Sequence, residues 1–233
     1  MMNQTTVDTI LEKERYSFED LCLITEYLRG ENGCPWDREQ THESIRRCMI
    51  EEAYEVVEAI DRRDAVLLCE ELGDVLFQVV FHAELEREAG RFDAVDVING
   101  ICRKMIHRHP HVFGNAKAVD GCEALAQWEA IKTEEKQRKT LASRLRAIPP
   151  MLPALLRAEK VNEKLGTSEE NPIGFSEILA GQAADFARNP DEKKLGELLF
   201  RITKCAAEYG LDAEGALAKR TEKVISDAEK LDF

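Results

Sequence analysis

The 233-residue sequence is poor in chain breakers, with 13 glycines and 7 prolines, and it has no excess of positive charge. The few breakers sit mostly between stretches of helical periodicity, and no stretch alternates convincingly with period two, which excludes a sheet-based fold. Lys and Arg number 32 against 45 Asp and Glu, a net charge of −13. That balance argues against a general binder of nucleic acid or anionic membranes, whose phosphate contacts need a basic face. The seven cysteines are scattered without a CxxC pair, so neither a disulfide framework nor a zinc knuckle is expected. There is no apolar run of the roughly 18 residues a spanning helix needs, and Met1 to Glu14 is polar, so membrane spans and a secretory signal are not expected. A GxxxxGK[ST] loop is absent, no strand precedes a glycine-rich turn, and no Ser-His-Asp or Cys-His arrangement can be assembled. What remains is a cytoplasmic protein with reduced thiols. Its 44% hydrophobic content is too high for a disordered chain.

The periodicity predicts an all-α fold, with helices at roughly 17–29, 40–62, 64–89, 93–108, 121–140, 150–165, 174–188, 191–209 and 211–230. Asn171-Pro172 and Asn189-Pro190 break the pattern late in the chain, and Gly90 is positioned to end a helix in a left-handed conformation. Pro149, Pro150 and Pro153 suggest a domain boundary, dividing the chain into 1–142 and 143–233. The two parts resemble each other. Glu70 to Phe77 (EELGDVLF) matches Lys193 to Phe200 (KKLGELLF), each followed by an apolar run, a glycine (Gly90, Gly210) and an aspartate (Asp93, Asp212). Two tandem copies of one helical unit is the economical reading.

The first copy concentrates acids. Glu51, Glu52, Glu55 and Glu58 fall on one side of a helix at about 100° per residue. That pattern alone describes a solvated acidic face. The next helix, from Glu71 to Leu85, is apolar around most of its circumference and reads as an interior helix, yet it carries Glu71 and Asp74 one turn apart. Two carboxylates on such a helix repel each other and are costly to desolvate, and no Lys or Arg lies within two turns of Asp74 in sequence. Antiparallel neighbours each presenting an acid pair would form an all-oxygen cage, which selects Mg²⁺ first and Mn²⁺ next. A ferritin-like di-iron centre would need Glu-x-x-His on two helices, and only Glu39-x-x-His42 fits.

Against this acidic background, Lys104 and Arg108 form a cationic fork at i,i+4, suited either to a helix C-terminus or to polyphosphate oxygens. Trp128 and Lys132 pair a stacking surface with a charge one turn away, and Trp36 sits in the loop Gly33-Cys34-Pro35-Trp36-Asp37 that feeds the acidic helix. Both tryptophans suit a base pocket or a packed core.

Taken in order, NGCPWDREQTHESI, EEAYEVVEAI, EELGDVLFQVVFHAEL, RKMIHRHPHVFG and WEAIKTEEK resemble the MazG family of nucleoside triphosphate pyrophosphohydrolases. The likeness is close from Leu28 to Lys136 and weaker to Phe233. It implies a four-helix-bundle-like all-α fold, a homodimer, and Mg²⁺-dependent hydrolysis of a nucleoside triphosphate to a monophosphate and pyrophosphate. It also places the metal-binding acids on Glu52, Glu55, Glu71 and Asp74, and nucleotide contacts on Lys104, Arg108, Trp128 and Lys132. Trp36 is a further candidate for the base pocket. Glu51, beside the cage, is the candidate to hold the attacking water. In the second copy the corresponding acid positions read Gln182, Asp185, Lys194 and Glu197. A lysine and a glutamine leave that cage with a net of one negative charge, so the second copy is expected to bind no metal and to be structural. The competing readings are a non-catalytic nucleotide-sensing or partner-binding helical dimer, and a purely structural one.

Overall fold

The computed structural model describes residues 4–135, 140–166 and 172–230. Among them the chain is helical, in the order α1 (Gln4–Leu11), α2 (Phe18–Arg29), α3 (Pro35–Glu39), α4 (His42–Arg62), α5 (Ala65–Glu88), α6 (Ala94–Arg108), α7 (Pro110–Phe113), α8 (Gly121–Glu135), α9 (Leu141–Arg146), α10 (Ala154–Leu165), α11 (Pro172–Arg188), α12 (Glu192–Glu208) and α13 (Ala213–Glu229). The long helices lie where the periodicity puts them. The expected helix over 121–140 runs into residues 136–139, which lie outside the described residues, as does Asn171 of the Asn171-Pro172 break. No described helix is long and apolar enough to cross a membrane.

The described chain packs as two compact units, Met1–Ala124 and Leu125–Phe233. This division by packing falls within α8, ahead of the proline-rich break at which the sequence pattern divides the copies. In the first unit α5 is the central helix, packed against α4, α2 and α6. In the second, α12 packs against α10, α11 and α13. In each unit one helix, α5 or α12, packs against three others, in line with the expected order of the two copies.

The same local devices shape both units. Asp64 caps α5 by accepting from the Val66 and Leu67 N–H groups at 3.0 and 3.1 Å, and Asp191 caps α12 by accepting from Lys194 N–H at 2.8 Å. Asp93 and Asp212 cap α6 and α13 in the same way. Before each of these, a glycine takes a positive φ, 69° at Gly90 and 64° at Gly210, which a side chain would strain. Between α4 and α5, Arg63 adopts φ 56° and the Asp64 N–H reaches back to the Ala59 carbonyl at 3.1 Å. This closes the helix within two residues and forces α5 to run back antiparallel along α4.

One expectation needs correction. α5 is not interior along its whole length. Its buried residues other than Glu71, which are Val80, Phe81, Ala83, Glu84 and Glu86, cluster in the second half, while Leu72 and Leu76 are exposed in the first. On α4 the polarity also runs against a simple amphipathic reading. Ile45 and Ala59 are buried and Glu52 is half-buried on the packed face, whereas Ile50, Tyr54, Val57 and Ile60 are exposed.

Candidate metal and nucleotide site

The turn at Arg63 sets the register of the acids. Glu55 and Glu71 lie at equal separation in sequence on either side of it, and so do Glu52 and Asp74, so an antiparallel hairpin brings each pair to one level. One carboxylate oxygen from each of Glu52, Glu55 and Glu71 lies within 4.8 Å of the other two. Asp74 stands outside this set of three, on the exposed side, and its charge reaches both Glu52 and Glu71. Glu71 is buried, at 8% exposure.

The outer acids of α4 are neutralised and the inner ones are not. Arg47 donates to Glu51 at 2.7 Å, and Arg62 pairs with Glu58. No ion pair among the described residues reaches Glu52, Glu55, Glu71 or Asp74. The consequence is visible in their protonation. Burial, then the charges of Asp74, Glu55 and Glu51, push the Glu52 carboxyl above its usual 4.5. Burial and the neighbouring Glu55, by charge and by hydrogen bonding, do the same to Glu71. Three hard oxygen donors converging without a cation, two of them raised by burial and then by neighbouring acids, are a donor set suited to a divalent cation of the Mg²⁺ type.

Lys104 is exposed on α6, and Arg108, one turn on, is buried at 4% exposure near the α6–α7 junction. α6 packs on α5, which carries Glu71 and Asp74. Trp36 is exposed on α3, while its neighbour Asp37 is buried. Trp128 and Lys132 belong to the Leu125–Phe233 unit, with the Lys132 ammonium 4.2 Å from the centre of the Trp128 ring and 2.9 Å from Glu129.

Two anchors of this site are not legible from local sequence pattern. Arg29, at the end of α2, donates to the Asp37 and Gln40 carbonyls at 2.5 and 3.2 Å, forms a two-bond fork with Glu88 at 2.8 Å each, and lies 5.2 Å from the centre of the Phe81 ring. It fixes the Trp36 segment to the end of α5. Gly33 permits the approach, because a Cβ there would strike the Tyr27 and Leu28 carbonyls. The second anchor joins the start of α4 to α5. The His42 and His82 Nδ1 atoms are 2.7 Å apart, so one imidazole donates and the other accepts, and His42 Nε2 is 2.6 Å from Glu86. Arg91 closes the chain on Glu86 and, with His42, holds that carboxyl down at about 2. Burial, and then the charge of His42, lower His82. The only hint in sequence was a lone Glu39-x-x-His42. His42 meets a second histidine across the helices there, and the acid-only set is the only candidate metal cluster among the described residues.

Residues 40–113, which contain the whole acid cluster, match the MazG nucleotide pyrophosphohydrolase domain. The chain is 41% identical over 222 residues to the nucleoside triphosphate pyrophosphohydrolase/pyrophosphatase MazG of Thermotoga maritima, covering 92% of this chain and 85% of that protein. It is 42% identical over 221 residues to the nucleoside triphosphate pyrophosphohydrolase of Escherichia coli K12, covering 87% and 82%. A nucleoside triphosphate pyrophosphohydrolase of Mycolicibacterium smegmatis is 45% identical over 130 residues, covering 54% and 40%.

Proposed function

The chain belongs to the MazG family of nucleotide pyrophosphohydrolases, and from that premise we propose that its first unit hydrolyses a nucleoside triphosphate to a monophosphate and pyrophosphate with Mg²⁺. The observation that carries this reading is the convergence of Glu52, Glu55 and Glu71 within 4.8 Å with no described cation beside them. In the proposed site these three carboxylates, with Asp74 at the rim, hold the metal. When bound, Mg²⁺ neutralises phosphate oxygens and lowers the pKa of a coordinated water, and Mn²⁺ can replace it. Glu51 keeps its carboxylate beside Glu52 and accepts from Arg47, and it is assigned to orient the attacking water and take its proton. Attack at the α-phosphorus breaks its bond to the bridging oxygen, and the electron pair leaves with pyrophosphate. Lys104 and Arg108 offset the charge that builds on that leaving group. Trp36, on the segment held by Arg29, walls the base.

A homodimer is part of the same proposal. Ile50, Tyr54 and Val57 form an exposed apolar stripe on α4, with Leu72 and Leu76 exposed on α5. Apolar faces of this kind are normally covered by a partner, and a second copy covers them in a closed assembly. The cytoplasm supplies nucleoside triphosphates and is the proposed location. The net charge of −13 disfavours stable nucleic-acid binding.

The test is pyrophosphate release from a panel of nucleoside triphosphates with and without Mg²⁺, with both products identified. Mg²⁺-dependent release of monophosphate and pyrophosphate in a one-to-one ratio supports the reading. Absence of release from every triphosphate at saturating Mg²⁺ sinks it.

A further inference from the structure

The second unit keeps the acid-cage register and changes its chemistry. Asp185 and Lys194 lie level across the α11–α12 turn, as Glu55 and Glu71 do across the first, and the Lys194 ammonium is 3.1 Å from Asp185. A permanent side-chain cation thus stands where the first unit gathers carboxylates. The next level along the hairpin holds Gln182 and Glu197, the counterparts of Glu52 and Asp74. Here the helices do not close. A cavity of about 450 Å³ opens between α10, α11 and α12, within the size range of small-ligand sites.

We propose that this cavity is a metal-independent binding site for a nucleoside monophosphate, formed by Gln182, Glu197, Phe200, Arg201 and Lys204. Arg201 and Lys204 stand one turn apart on α12 where the same register in the first unit has Gln78 and Phe81, so the second unit has gained two cations on this wall. Together they match a phosphate dianion. The Gln182 Oε1 atom is buried without a hydrogen-bond partner. A buried acceptor left unpaired is costly, and it is satisfied by an O–H or N–H of a sugar or base. The Glu197 carboxylate is a second acceptor suited to ribose hydroxyls, and the half-exposed Phe200 ring offers a stacking face. The wall itself is fixed, because the buried Asn162 amide donates to the Phe200 carbonyl at 3.3 Å and to the Thr203 hydroxyl at 3.1 Å. With Lys194 standing among the counterparts of the cage acids, the site has no place for a metal-chelated triphosphate and takes a phosphate ester that needs no metal.

The experiment is calorimetric titration of the full chain in EDTA with AMP, GMP, CMP and UMP, and separately with orthophosphate, alongside amide NMR shifts. At least one monophosphate is expected to bind, shifting amides of α10 to α12. Lys204→Gln should weaken that binding at least about tenfold, the value of one charge-assisted hydrogen bond. Gln182→Leu tests the acceptor without altering charge, and Glu71→Gln should leave this binding unchanged. Retained helical signal and unaltered basal pyrophosphate release in the Lys204 and Gln182 variants exclude misfolding as the cause. No binding of any monophosphate in EDTA overturns the proposal. So does binding that survives in both second-unit variants but is lost in Glu71→Gln. Orthophosphate binding as tightly as every monophosphate overturns the nucleoside assignment.

Discussion

The α4–α5 and α11–α12 hairpins are the same object with opposite electrostatics. Both begin their second helix on an aspartate cap, and both lead through a glycine of positive φ into the next capped helix. In one, Glu55 meets Glu71, and burial together with the Glu55 charge pushes the Glu71 carboxyl up. In the other, Asp185 meets Lys194 and the charges satisfy each other. The backbone of this hairpin is therefore indifferent to what stands at the facing positions. Caps, turn and apolar contacts hold it, and a few side chains decide whether it demands a cation or contains its own.

The sharpest way to break this comparison is Glu71→Gln. Loss of a ligand should lower pyrophosphate release by more than about a hundredfold, beyond what outer-shell partners of a metal contribute. The same variant should melt higher than the parent in EDTA, since it removes repulsion that no described cation relieves. The sign follows from the raised carboxyls. Below 4.5 both states are protonated and nothing is lost. As pH rises through the elevated folded values, the native state must ionise against its neighbours and metal-free stability falls. Glu71→Gln flattens that fall, and thermal melts in EDTA from pH 4 to 8 check it. A lower melting point than the parent at pH 7 contradicts the assignment.

Next in size is the reverse exchange. Gln182→Glu with Lys194→Glu places four carboxylates on the second hairpin. Melting should fall in EDTA and recover with Mg²⁺, and calorimetry should count one additional bound metal per chain. No gain in stoichiometry means the second hairpin cannot close on an ion even with its charges restored.

A smaller effect is expected at the Trp36 anchor. Arg29→Ala removes charge-assisted bonds to two carbonyls and the partly exposed Glu88, a loss of roughly 2 kcal/mol. Chemical denaturation should report it. KM for the triphosphate should rise more than kcat falls if the segment serves binding. The smallest effect concerns Glu86, held down at about 2 by Arg91 and His42. Its contribution is present above the usual 4.5 and is lost as pH falls toward 2. Glu86→Gln should therefore show a shallower loss of melting temperature between pH 4.5 and 2 than the parent.

Much of this was legible in advance because helices announce themselves locally. The spacing of apolar residues placed every long helix, and Gly90 sits in the left-handed conformation that its position before Asp93 suggested. The short segments α1, α3, α7 and α9 escaped, because four to eight residues hold too few turns to establish a period. The acid pairs were legible as spacings, but their environment was not. Periodicity read α4 as an apolar face opposite an acidic one, whereas Glu52 turns toward α5 and Ile50, Tyr54 and Val57 turn outward.

By itself, then, the order of residues determined the helices, their caps and the angles at which acids leave each axis, since these depend on neighbours within a turn or two. Only the tertiary structure decided what stands across from those acids: Glu71 opposite Glu55, Lys194 opposite Asp185, Arg29 on Glu88, and His42 on His82. Those meetings depend on where a turn reverses the chain and on how helices pack, and no periodicity within one helix encodes the partner on another.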